Sequence, residues 1–110
     1  MGGRASRSKG SAAEREIAAI ISERTGHDCK RTPLSGAISW LPGDVTGLPG
    51  WLIEVKRQEK MRIPEWLKQT EVACPPDMRP LLVYRRSREP WRVIIQLDDF
   101  LNLIERAKND

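Results

Sequence analysis

Glu54-Val55-Lys56, Asp44 and Glu14 are the residues whose types and spacing could do chemistry together. Successive side chains of a β-strand alternate faces, so Glu54 and Lys56 share one face while Ile53 and Val55 share the other. A strand that buries Ile53 and Val55 therefore presents an acid and a base together, on a face that Leu52 keeps partly apolar. Taken alone, the tripeptide is better explained as an exposed cross-strand salt-bridge face. Asp44 precedes Glu54 across the turn Pro49-Gly50, in the order that sets two neighbouring strands antiparallel. Carboxylates on adjacent strand ends can converge on one Mg2+, which takes oxygen ligands and keeps waters for a substrate phosphate. Lys56 beside them suits a role in holding an attacking water or balancing charge that develops on the phosphorus centre. Asp44 also has a plainer reading, as the turn residue of Gly43-Asp44.

Glu14 is the third acidic candidate. On a helix its neighbours at i+3, i+4 and i+7 are Ile17, Ala18 and Ile21, which puts its carboxylate on the apolar stripe. Ser11-Ala-Ala-Glu14 also reads as a capping box, with the glutamate bonded back to the Ser11 amide. Both roles account for a glutamate at this position. Other metal chemistries are narrowed by composition. His27 is the single imidazole, and Cys29 and Cys74 are the two thiols, far apart in sequence. Any metal here must be a hard cation held by carboxylates.

The elements that would position these groups are legible in outline. Residues 1–10 carry almost no apolar content and read as a flexible basic arm, leaving 11–110 as a single domain. A helix is expected from about Ser11 to Arg24, with Ile17, Ile20 and Ile21 at helical spacing and Thr25-Gly26 as its stop. A short strand around Asp28–Thr32 precedes a Ser/Gly/Pro-rich loop from Pro33 to Gly43. Short and long strands follow at Asp44–Gly47 and Trp51–Lys56. A second helix spans about 64–74, with Pro64 in its first turn and Pro75-Pro76 after it. Strands at Pro80–Arg86 and Trp91–Gln96 flank a charged turn, and Asp98 is expected to cap a last helix with the stripe Phe100, Leu101 and Ile104. This order suggests an α/β fold with a mixed central sheet flanked by helices.

At 110 residues the chain can bury one modest core. Its basic side chains outnumber its acidic ones by 19 to 15, and the net charge of +4 with a pI near 9.4 favours a polyanionic partner. Arginine dominates the basic set, and its planar fork suits phosphate. No apolar run reaches the roughly 20 residues that span a bilayer. The basic start lacks the apolar stretch of a secretory signal, so a cytoplasmic protein is expected. Arg85, Arg86 and Arg88 gather at the expected hairpin tip, as a solvated surface or as a clamp on a nucleic-acid backbone. Trp51, Trp66 and Trp91 fall inside elements and are expected to pack. Trp40, in the loop, suits either stacking on a base or anchoring the loop.

The order Glu, Asp, then Glu-x-Lys resembles the PD-(D/E)xK nucleases. The segment Lys9-Gly-Ser-Ala-Ala-Glu14-Arg15-Glu16 resembles the opening motif of archaeal-type Holliday junction resolvases and their phage relatives, and the likeness runs in order over most of the chain. That resemblance implies a restriction-endonuclease-like fold and cleavage of DNA, preferably four-way junctions, by paired symmetric nicks. It implies a metal site of Glu14, Asp44, Glu54 and the Val55 main-chain carbonyl, with Lys56 completing the catalytic set. Mg2+ is the implied ion, with Mn2+ as its substitute, and no small-molecule cofactor or membrane is implied. Arg15 matches a phosphate-contacting arginine, Ser35-Gly36 a Ser-Gly segment, and Trp91-Arg92 a late Trp-Arg pair. Arg4, Arg7, Lys9, Arg15, Ser35, Arg57, Arg85 and Arg86 form the expected DNA-binding set. Two symmetric cuts call for a homodimer, because so small a domain cannot span a junction. A role in DNA recombination or repair would follow. Gly43 departs from the family, which has proline before the aspartate, and Ile38–Pro42 adds to its loop. A nuclease of duplex ends or flaps, and a non-catalytic DNA-binding module, are the alternatives.

Overall fold

A computed structural model of the chain describes residues 3–33 and 43–109, with residues 3–9 as backbone alone. Ser35, Gly36 and Trp40 lie outside the described residues. The described elements are α1 (Gly3–Thr25), β1 (Lys30–Arg31), β2 (Val45–Thr46), β3 (Trp51–Arg57), α2 (Ile63–Ala73), β4 (Arg79–Arg85), β5 (Arg92–Ile94) and α3 (Leu97–Asn109). The strands make one sheet in the order β1-β2-β3-β4-β5. Every neighbouring pair is antiparallel except β3 and β4, which run parallel with α2 as their crossover. The mixed sheet with flanking helices is the expected α/β architecture.

The sheet is organised on β3, whose side chains are buried on both faces. Leu52 and Ile53 are fully buried, and burial of each stabilises the fold by roughly 1.5–3 kcal/mol. Ile53 and Val55 share a cluster with Ala13, Ile17 and Ala18 of α1. Leu52 and its neighbour Leu82 face the other way, toward α2, whose buried residues are Trp66 and Thr70. Ile20, expected in the apolar stripe of α1, is instead exposed. The apolar stripe is carried by Ala13, Ile17 and Ala18, with Ile21 packed at its edge.

Two boundaries and one packing expectation differ from the sequence reading. α1 begins at Gly3, so residues 3–10, read as an arm, have a helical backbone. A formed helix extends at one hydrogen bond per added residue, and Ser11 is an interior position with no capping role. Its far end stops as expected: Gly26 has φ +80° and its N–H donates to the Ser22 carbonyl at 2.9 Å. α3 starts at Leu97, so Asp98 lies inside the first turn, where its charge complements the helix dipole. The first intrahelical bond runs from the Phe100 N–H to the Gln96 carbonyl at 3.1 Å, which sets Gln96 at the N-cap position. Finally, Phe100, Leu101 and Ile104 of α3 are exposed, not packed on the core. No helix of the described residues is long and apolar enough to cross a membrane.

Gly43 enters β2 with φ +85°, a conformation closed to proline, whose ring fixes φ near −65°. A Cβ there would lie 2.8 Å from the Ile53 carbonyl oxygen, on backbone that cannot yield. The glycine thus lets the chain run against β3 as it delivers Asp44. Gly43→Ala is expected to destabilise the fold by about 2 kcal/mol or more. Urea unfolding measures this, and an unchanged midpoint would contradict the close approach.

Candidate active site at the β2–β3 fork

Asp44 is held through its main chain on two sides. Its N–H donates to the Ile53 carbonyl at 2.7 Å, and its carbonyl accepts the Thr32 N–H at 2.8 Å. β2 pairs with β3 through the register Val45↔Ile53, and beyond Asp44 that ladder ends. Val55 has its N–H directed to the same edge of β3, where a main-chain partner would otherwise stand. The Asp44 carboxylate supplies it, accepting the Val55 N–H at 2.8 Å. An unmade hydrogen bond on a buried amide costs about 1–3 kcal/mol, so the side chain is fixed by a backbone need.

Side chains from both faces of the sheet can reach one another around this open edge. Glu14 arrives from α1, on the Ile53 and Val55 face, and is half-buried. Glu54 lies on the α2 face beside Leu82. Burial raises the Glu54 carboxyl first, then the charge of Asp44 and a hydrogen bond with it, pushing it up to about 8; Lys56 pulls the other way. Glu14 is raised by burial and then by Asp44, while Arg31 lowers it. Three carboxylates therefore interact across one fork, and Lys56 adds the nearby cationic charge. Lys56 borders a shallow groove with Glu65, Trp66 and Gln69 of α2.

The sequence reading missed Arg31. Its Nε donates to Glu14 Oε1 at 2.9 Å, with both side chains largely buried. It lies on a two-residue strand, too short for a periodicity that would reveal its face. Register supplies what periodicity could not, because Arg31 stands opposite Val45, next to Asp44. The bond to Arg31 also disposes of the capping box, since Ser11 is interior to α1 and Glu14 is directed to the sheet.

The acidic residues are near neighbours rather than a finished cage. Among the described residues, no three Asp, Glu, His or Cys side chains are gathered as a metal-holding group. Glu14 is turned to Arg31 and one oxygen of Asp44 to the Val55 amide. The donor set nonetheless fits a hard dication: it offers only oxygens, and the burial and repulsion that hold a proton on Glu54 are what such a charge offsets. Val55 adds to this fit, because N–H and carbonyl of one strand residue face the same neighbour. Its carbonyl therefore opens on the fork.

The remaining site residues are spread around this edge. Arg15 is exposed on α1 next to Glu14. Arg57 and Arg85 are register neighbours at the C-terminal ends of β3 and β4, and each has a buried Nε without a hydrogen-bond partner. Arg85 stacks over the Trp91 ring at 4.8 Å and comes within 3.9 Å of the Glu16 carboxylate. Trp91 Nε1 donates to Glu16 at 3.0 Å. Arg86 is exposed at the hairpin. Arg4, Arg7 and Lys9 lie on the first turns of α1, and Ser35 falls outside the described residues.

A family model described as "Phage putative PDDEXK endonuclease" matches residues 5–110. No curated protein sequence matches the chain. Among solved structures, Hjc of Archaeoglobus fulgidus, a Holliday junction resolvase from an archaeal hyperthermophile, is similar with a TM-score of 0.52. That match has 15% sequence identity and covers 79% of this chain and 72% of the other, a likeness of fold.

Glu54 carries its proton in the folded protein up to about pH 8, whereas an unperturbed glutamate releases it near 4.5. The stabilisation from that proton is complete below the unfolded value and is lost as pH rises through about 8. Without divalent cations, wild type should therefore lose stability relative to Glu54→Gln across this window. Urea unfolding at a series of pH values tests it; parallel stability curves would contradict the crowded fork.

Proposed function

Because the chain belongs to the phage PDDEXK endonuclease family, we propose that it hydrolyses DNA phosphodiesters at the β2–β3 fork, resolving four-way junctions by paired symmetric nicks. PDDEXK nucleases generally use divalent metals. Glu14, Asp44, Glu54 and the Val55 carbonyl would hold Mg2+, or Mn2+ in its place, supplying a Lewis acid for the phosphoryl oxygens. The observation that supports this reading is the interaction of three carboxylates across one strand edge, with Glu54 pushed up to about 8 by burial and then by Asp44.

The chain's own residues divide the remaining work. Asp44 is pre-positioned by Val55, so little reorganisation is needed when substrate arrives. Lys56, on the Glu54 face, orients the attacking water in line with the scissile bond and offsets charge gathering on the phosphate. Arg15, next to Glu14, contacts a backbone phosphate near the cut. Arg57 and Arg85, at the ends of β3 and β4, and the exposed Arg86 extend that contact along the sheet end. Arg4, Arg7, Lys9 and Ser35 complete the DNA surface. Binding through so many arginines makes affinity fall with salt, because each neutralised phosphate releases counterions. A homodimer brings two such sites to the two symmetric strands of a junction. Cytoplasmic DNA recombination or repair is the setting this activity fits.

The test is cleavage of a synthetic four-way junction beside a matched linear duplex, with Mg2+ or EDTA. Paired nicks confined to the junction, dependent on Mg2+ and reduced about a hundredfold or more by Asp44→Asn, are expected. Equal cleavage of linear duplex would replace the junction with duplex ends or flaps as substrate. Tight binding with no cleavage in either condition would overturn the enzymatic reading.

A further inference from the structure

α3 is amphipathic, but it sits on its own chain with the polar side inward. Asp99 is buried, and its carboxylate accepts from Arg79 Nε at 3.0 Å. Asn102, Leu103 and Arg106 face the same way, across a cleft from Trp51 and Gly50. At about 100° per residue, Leu97, Phe100, Leu101 and Ile104 cluster on the opposite side. Their exposures are 68%, 47%, 45% and 46%. A solitary chain would turn this helix over, burying its four large apolar side chains and releasing Asp99 to water. The helix is instead pinned with its apolar stripe outward by the Arg79–Asp99 pair.

We propose that this stripe is the surface on which two copies of the chain pair, through an antiparallel α3–α3 contact about a two-fold axis. This deepens the reading of the protein as a dimeric nuclease, on which it rests. The occupant is identified by charge. α3 has Asp98 in its first turn, and Arg106 and Lys108 in its last. Lys108 follows Leu97, Leu101 and Ile104 along the apolar stripe at i+4 and i+3 spacing, so it rides on the face that would be covered. An antiparallel copy sets Asp98 of one helix beside Lys108 of the other, twice over, and opposes the helix dipoles favourably. A parallel copy would place like charges together at both ends. In the antiparallel register Phe100 of each copy meets Ile104 of the other, so the apolar stripe covers itself.

Sedimentation equilibrium of the full chain, without DNA, tests the surface. Wild type should be a dimer whose melting rises with protein concentration, and Leu101→Glu with Ile104→Glu should be monomeric with unchanged circular dichroism and a concentration-independent melting, since both positions are exposed in the single chain. Lys108→Asp should weaken self-association by about tenfold, and Asp98→Lys together with Lys108→Asp should restore it. A wild-type dimer untouched by the double glutamate variant would overturn α3 as the surface while leaving the dimeric nuclease standing. A charge swap without rescue would overturn the antiparallel pairing. A monomeric wild type would overturn both the surface and the dimer, leaving α3 to a different protein. Junction cleavage, measured separately, reports on the nuclease reading itself.

Discussion

The Val55 N–H has to be satisfied at the point where β2 leaves β3, and the Asp44 carboxylate satisfies it at 2.8 Å. This one bond couples the backbone of the sheet to the chemistry proposed at its edge. It needs Asp44 to be brought hard against β3, which needs the left-handed Gly43, which leaves no room for a side chain beside Ile53. It also fixes where the second oxygen of Asp44 can point, and so where Glu14 and Glu54 meet it. The open fork is thus produced by the same hydrogen-bonding rule that builds the sheet.

Crowding follows from that placement. Burial and the Asp44 charge raise both Glu14 and Glu54, while Arg31 offsets part of the repulsion at Glu14. Without a counter-charge, the fork keeps its acidic groups apart by leaving a proton on Glu54 and turning Glu14 toward Arg31.

Much of the fold was legible because β3 and α2 carry strong local signals. Trp51–Lys56 is β-branched and aromatic, and Pro64 and Pro75-Pro76 bracket the second helix. The antiparallel relation of Asp44 to Glu54 could be argued from the Pro49-Gly50 turn, and the pairing Val45↔Ile53 bears it out. Other features depend on tertiary contacts that spacing does not encode. Arg31 is chosen by strand register, Ile20 stays exposed beside the stripe that Ala13, Ile17 and Ala18 bury, and Ser11 is no cap because the helix continues past it. The stripe of α3 was visible as a stripe; that it faces outward is decided by Arg79 and Asp99, which are distant in sequence.

The central claim is that Glu14, Asp44, Glu54 and Val55 form one cation site at the fork. Paramagnetic broadening of assigned NMR resonances by substoichiometric Mn2+ tests it most directly, with no DNA and no turnover. The account predicts that signals of these four residues broaden first, that α3 and the β4–β5 hairpin stay sharp, and that Asp44→Asn abolishes the effect. Selective broadening centred elsewhere, or broadening at the fork that survives Asp44→Asn, would contradict it.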